Sequence, residues 1–155
     1  MYTHSMEVLD QAGVRYELRP HSREVYTVEE AARERGVRVE QIVKVMLAKS
    51  SEDTLLAVLV PGHKRLDLKR LRRALGDRSI RLASPAEIEA TLGVTVGAIT
   101  PVDIHQRVAI HVDRGILDEE VVAISSGSPD AGLLLSSRDL LAVVGGRLGD
   151  YTRAE

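Results

Sequence analysis

Ile42-Val-Lys-Val-Met-Leu-Ala48 and Thr54-Leu-Leu-Ala-Val-Leu-Val60 are two β-prone runs joined by the polar stretch 49–53, and their reading decides the fold. Runs of this length, rich in Val, Ile and Leu and bounded by polar residues, form strands, and the short polar connection makes them a hairpin. Alternation places Val43, Val45 and Leu47 on one face of the first strand and Lys44, Met46 and Ala48 on the other. A sheet with apolar residues on both faces needs cover on both sides. The flanking sequence supplies it.

Upstream, Thr27 with Glu30 three residues later is a capping-box pattern, which predicts a helix over 28–35 stopped by Gly36. Before it, Met6, Leu9 and Ala12 line one side of a short helix that Gly13 stops, and residues 14–18 alternate as a strand ending at Pro20. Downstream, Asp67 caps a predicted helix over 68–75, with Leu68, Leu71 and Leu75 facing inward and Gly76 ending it. Ser84-Pro85-Ala86-Glu87 places a cap, a first-turn proline and a box glutamate in order, predicting a helix over 85–92 stopped by Gly93. Strands are predicted over 107–112, 121–124 and 133–135, and Ser136 with Asp139 caps a last helix toward Val144. Strands outnumber helices without strict alternation, which describes an α/β protein of the α+β kind, a mixed and curled sheet with helices around it. At 155 residues the expectation is one domain over 1–155.

Composition narrows the chemistry. The chain has no cysteine, so disulfides, zinc-thiolate centres, iron–sulfur clusters and a cysteine nucleophile are excluded. The start of the chain lacks a basic region followed by an apolar one, and no run approaches a membrane span, so a cytoplasmic protein without membrane contact is expected. A net charge of −2 argues against a protein that coats nucleic acid by bulk charge, and four Tyr without Phe or Trp offer few stacking platforms. Charge is nevertheless concentrated between His63 and Arg73, where Lys64, Arg65, Lys69, Arg70, Arg72 and Arg73 face a single acid, Asp67. That run is either a solvated helix face or a local contact for phosphates.

Lys44 is the only charge in the run 42–48. Its ammonium either snorkels to a sheet edge or points into a pocket, where it would need a carboxylate, carbonyls or a bound anionic or ester ligand. Gly93-Val-Thr-Val-Gly97-Ala-Ile-Thr-Pro101 is a second feature. Gly97 permits close approach of a ligand to the backbone and Pro101 holds Thr100 extended, leaving the amides of Ala98, Ile99 and Thr100 as donors to a carbonyl or phosphate oxygen. The same pattern also serves as a plain tight connection. Ser125-Ser126-Gly127-Ser128-Pro129 is a third turn, open to the same two readings. There is no P-loop, no Gly-x-Ser-x-Gly elbow and no His-Glu-x-x-His, and His4, His21, His63, His105 and His111 lack metal-binding spacing, so neither a metal nor a cofactor is expected.

Taken in order, these segments resemble the YbaK/EbsC family, free-standing relatives of the editing domain inserted in bacterial prolyl-tRNA synthetases. His21 followed by Thr27-Val-Glu-Glu-Ala-Ala32 looks like the family's entry segment, and Gln41-Ile-Val-Lys44-Val-Met-Leu like the strand with its lysine. Leu66-Asp-Leu-Lys69, Ala74-Leu-Gly76, Arg81-Leu-Ala-Ser84 and Glu87-Ile follow in family order, Gly97-Ala-Ile-Thr-Pro101 matches its Gly-x-x-x-Pro loop, and Ile124-Ser-Ser-Gly127 through Asp139-Leu-Leu matches its closing strands and helix. Departures lie at Ala98 and Ser126, where many members have glycine, and at Ser128-Pro-Asp130 in place of a basic-plus-glycine turn. The resemblance implies a barrel-like mixed sheet and hydrolysis of mischarged aminoacyl-tRNA, above all tRNA for proline carrying alanine or cysteine. It implies Lys44 as the catalytic residue and His21, Gly97, Ala98, Ile99, Thr100, Pro101, Ser125 and Gly127 as substrate-binding positions. Lys64, Arg65, Lys69 and Arg70 become candidate contacts to the tRNA acceptor end, and prolyl-tRNA synthetase a candidate partner. A non-catalytic module that binds tRNA or a synthetase with the same fold is the alternative, and a hydrolase for a different small acyl ester a third.

Overall fold

The computed structural model describes residues 1–94 and 99–154. In chain order the elements are α1 (His4–Gln11), β1 (Tyr16–Pro20), α2 (Val28–Arg35), β2 (Val43–Lys49), β3 (Leu55–Pro61), β4 (Lys64–Leu66), α3 (Leu68–Leu75), β5 (Arg81–Leu82) and α4 (Pro85–Leu92). There follow α5 (Pro101–Ile104), β6 (Ala109–Asp113), β7 (Val121–Ser125), β8 (Ala131–Ser136), α6 (Ser137–Val144), β9 (Arg147–Gly149) and β10 (Thr152–Ala154), with 3-10 turns at Val39–Gln41 and Arg114–Asp118.

Local chemistry sets the helix ends. The hydroxyls of Thr27, Ser84 and Ser136 accept the amides of Glu30, Glu87 and Asp139, and the Asp67 carboxylate accepts those of Lys69 and Arg70. At Gly36 and Gly76 the chain turns left-handed, with φ of 70° and 64°, which ends α2 and α3 where the glycines predict.

The central sheet has the order β5-β2-β3-β6-β9, with β2 antiparallel to β3 and β6 parallel to both β3 and β9. A three-stranded sheet β1-β8-β7 and the ribbon β10-β4 complete the strands. A parallel bridge between Ile42 and Ala123 joins the entry of β2 to β7. The mixed sheet with surrounding helices is as expected, but the barrel-like closure is not: among the described residues β5 and β9 remain edges of the central sheet. The reason is length, since β5 has two residues and β9 three, too few to carry a ladder around a ring.

Strand β3 is buried over its whole length because its two faces serve two cores. Leu55, Ala57 and Leu59 join the larger one with Val43, Leu47, Ile110, Ile124 and Leu133. Leu56, Val58 and Val60 join the smaller one with Leu71, Ile80 and Tyr151, beneath α3. A third cluster, Ala31, Ala32, Ile42, Ala123 and Leu134, seats α2 on the β1-β8-β7 sheet. With no Phe or Trp, branched aliphatics do this work, each worth about 1.5–3 kcal/mol when fully buried.

Candidate functional site

Helix α2 places Val28, Ala31 and Arg35 on one side, at the i, i+3, i+7 spacing of a single helical face. That side meets Ile42, Val43 and Val45 at the entry of β2, and Thr27, Ile99 and Ser125 close a cavity of about 210 Å³ between them. The small Ala31 leaves the space. This volume is below the roughly 300–1,000 Å³ of sites for drug-sized ligands, so the cavity suits the small groups at the end of a larger molecule.

Arg35 is the cavity's unusual residue. It is only 7% exposed, yet it forms no ion pair among the described residues. Its Nε donates to His21 Nε2 at 3.3 Å, and the His21 Nδ1 lies 2.9 Å from the Pro129 carbonyl. The carbonyl accepts only a proton, which fixes the tautomer with Nδ1–H and leaves Nε2 as the acceptor for Arg35. Gly132 makes room for this arrangement, because a Cβ there would collide with the Arg35 side chain. Burial pulls the guanidinium pKa down to about 10.

Lys44 lies across the strand from this cavity. It shares its face with Met46 and Ala48, both part of the smaller core, and its Nζ donates to the Lys64 carbonyl at 2.6 Å. Of the basic segment, Arg65, Lys69 and Arg70 are exposed and Lys64 is half-buried. The Asp67 carboxylate both caps α3 and approaches Arg70 Nε at 3.7 Å, so part of the local positive charge is balanced.

The other sequence candidates divide. Ser125 lines the cavity and its Oγ accepts the Gly127 amide at 3.2 Å, which leaves the hydroxyl proton to donate. Ile99 is a wall shared with a neighbouring cavity that also takes in Thr100 and Asp103. Thr100 is fully buried and its Oγ1 has no hydrogen-bond partner among the described residues, and Pro101 is the first residue of α5. Gly127, at φ 91°, lies against the same group, where a Cβ would stand 3.2 Å from Asp103 Oδ2. Gly97 and Ala98 lie outside the described residues. Ile99 and Ser125 are thus brought to one cavity, with His21 behind it as the partner of Arg35; Lys44 and Lys64 meet on the opposite face of β2; Thr100 lines the second cavity, with Pro101 next to it in the chain and Gly127 packed against Thr100 and Asp103. Ser126, a departure from the family pattern, is buried and donates to the Ala131 carbonyl at 2.6 Å, so its hydroxyl holds the turn.

Sequence reasoning missed Arg35. The available signal was its place on the stripe of Val28, Ala31 and Ala32, where a charge breaks the apolar face.

The sequence model of the aminoacyl-tRNA editing domain family matches residues 22–143, most of the chain. The chain belongs to this family. The matched span holds the α2–β2 cavity, Lys44 and the basic segment, and leaves out β9 and β10. This editing domain is 39% identical over 115 residues to the proline–tRNA ligase of Thermosipho melanesiensis, covering 74% of the chain and 20% of the ligase. The domain therefore spans about a fifth of that relative's length. It is 21% identical over 155 residues to a candidate Cys-tRNA(Pro)/Cys-tRNA(Cys) deacylase, EbsC, of Enterococcus faecalis, covering 99% of the chain and 94% of that protein. Among solved structures it is similar to a candidate trans-editing enzyme for prolyl tRNA synthetase, with a TM-score of 0.83 and 27% identity over 99% of this chain and 100% of that one.

Proposed function

We propose that this editing domain hydrolyses the ester of mischarged aminoacyl-tRNA, with tRNA for proline carrying alanine or cysteine as the substrate. The observation that carries the reading is the cavity of about 210 Å³ between α2 and β2, walled by Ala31, Val43, Val45 and Ile99, in a chain of the editing family. Such a sieve answers a physical need. One methylene is worth only about 1–3 kcal/mol in an apolar pocket, so a synthetase that accepts proline cannot fully reject smaller amino acids by affinity. A second compartment that admits only the small ones removes the error.

An aminoacyl ester is already activated. Water adds to its carbonyl carbon, the bond to the ribose oxygen breaks, and that oxygen leaves with a proton as the ribose hydroxyl. Holding ester and water together supplies much of the rate, without a protein nucleophile. Ser125 and Thr27 line the cavity, and in this reading their hydroxyls orient the ester or the water. Lys44, held on the Lys64 carbonyl, acts electrostatically on the phosphates of the acceptor end, and Lys64, Arg65, Lys69 and Arg70 of the following segment add to the attraction. Prolyl-tRNA synthetase is the natural partner for such an activity, in the cytoplasm where its tRNA is charged.

A second reading, a tRNA- or synthetase-binding module without turnover, draws on the position of Lys44, across β2 from the cavity. The test is deacylation of tRNA for proline charged with alanine, cysteine, serine or proline, with Lys44→Ala in parallel. Selective release of one small amino acid, reduced at least about tenfold by Lys44→Ala, supports an editing enzyme. Salt-sensitive tRNA binding with no release from any charged form overturns it in favour of the binding module.

A further inference from the structure

Arg35 stands at odds with ordinary burial. A guanidinium taken out of water costs several kcal/mol unless a carboxylate and good hydrogen bonds offset it. Here one nitrogen, Nε, is satisfied by a neutral imidazole, and neither Nη makes a hydrogen bond among the described residues. Arg19, whose own charge is paired with Glu17 at 3.1 Å, donates Nη1 to the Arg35 carbonyl at 2.8 Å and brings no carboxylate to the guanidinium. The chain nevertheless builds this placement with care. Gly132 clears the space, Pro129 sets the tautomer of His21, and His21 holds the guanidinium by its Nε, which leaves the Nη fork for a ligand in the cavity it lines.

An aminoacyl-tRNA offers few partners for such a fork. Its α-carboxylate is consumed in the ester, its α-ammonium is repelled by a guanidinium, and its formal anions are the phosphodiesters. The planar fork of arginine fits two phosphate oxygens at once. We propose that Arg35 is the receptor for the phosphodiester that joins the terminal nucleotide to the tRNA acceptor end, an inference that rests on the deacylase reading above. Arg35 then sets the depth of entry as well as affinity, because a phosphate fixed at α2 determines how far the aminoacyl end reaches along the wall of Val45 and Ile99.

The test compares 5′-AMP, which carries the phosphate, with adenosine, which does not, on the wild-type chain and on Arg35→Met and Arg35→Lys. Wild type prefers 5′-AMP by about 10- to 100-fold, the range of a charge-assisted bidentate contact. Arg35→Met abolishes the preference and Arg35→Lys keeps only part of it. In deacylation, Arg35→Met raises KM for charged tRNA far more than it lowers kcat. A purely structural arginine would behave otherwise. Its loss would lower the melting temperature, whereas Arg35→Met here holds or raises it, since an apolar chain replaces a mostly buried charge that has no ion-pair partner among the described residues. Equal binding of 5′-AMP and adenosine by wild type, or an undiminished preference in Arg35→Met, overturns the proposal. If Arg35→Met does not fold, Arg35→Lys decides, and full retention of the preference and of KM in that folded variant overturns it. The two readings fail separately. Absence of deacylation with an Arg35-dependent preference for 5′-AMP refutes the deacylase and leaves the anion site; deacylation with unchanged KM in Arg35→Met does the reverse.

Discussion

Asp113 ties the end of the central sheet to the ribbon that receives Lys44, and Asp113→Ala should loosen both. Its side chain is 3% exposed. One carboxylate oxygen accepts the Gly115 amide at 3.0 Å and the other the Tyr151 amide at 2.9 Å. Tyr151 is held from its other side too, its carbonyl accepting the Asp67 amide at 2.8 Å. The next residue begins β10, whose Ala154 pairs with Lys64 of β4, the residue whose carbonyl takes the Lys44 ammonium. Alanine leaves two donors without partners, at about 1–3 kcal/mol each, so the loss is about 2–6 kcal/mol against a total stability of about 5–15 kcal/mol. At about 2–4 °C per kcal/mol for a chain of this size, the melting temperature falls by about 4 °C or more. Asp113→Asn keeps one acceptor oxygen and sheds the buried charge, so it loses about half as much. Urea unfolding of the three proteins measures the series. A loss below about 1 kcal/mol in Asp113→Ala refutes the reasoning, because it would mean that water satisfies both amides.

Two further expectations follow from charge. Reversing the exposed pair Lys69→Glu/Arg70→Glu weakens tRNA binding and flattens its dependence on salt by about 0.7–0.9 in the log–log slope per lost phosphate contact, while the melting temperature stays within a few degrees; an unchanged slope in a binding titration would remove α3 from the tRNA interface. His111 is buried against Tyr151 with ring centroids 5.9 Å apart, and burial, aided by Arg147, holds its pKa below the ordinary 6.5. Below about pH 6.5 the unfolded imidazole takes up a proton that the folded one refuses, so its contribution to stability is present above that pH and is lost as pH falls. In His111→Phe the drop in melting temperature between pH 7 and pH 5 should therefore shrink; a drop as large as in wild type would show that other groups carry it.

How much of this was legible depended on how local the cause was. Helices α2, α3 and α4 begin and end at the predicted residues because their caps and stop glycines lie within four residues of what they control. Strands β2 and β3 were legible as apolar runs. Strands β4, β5, β9 and β10 were not, because two or three residues, several charged, show no period to read, and partners distant in sequence make them strands. The site divides the same way. Lys44 stands out as a lone charge in an apolar run, whereas Arg35 hides in Val28-Glu-Glu-Ala-Ala-Arg-Glu-Arg35, which reads as a solvated helix. What turns Arg35 inward is the space over Gly132 and the imidazole of His21, and both come from other elements.

Strand β2 then acts as a partition. On one face Val43 and Val45 line the cavity that holds Arg35; on the other Lys44 is fixed to the basic ribbon. The two cations differ in kind, since Arg35 is buried with a planar fork and Lys44 is a half-buried point charge held on the ribbon. A buried fork responds to one phosphate in one orientation, and its contribution resists screening by salt. Exposed basic residues respond to the phosphate backbone over a longer reach, and salt weakens them. A nucleic-acid end carrying a small ester needs both kinds of contact, a distributed one that brings the acceptor end to the sheet and a local one that stops it at a single register. In the proposed deacylase the apolar wall of Ala31, Val45 and Ile99 would then stand beside the amino acid, and discrimination by size would depend on the charge that sets the depth of entry.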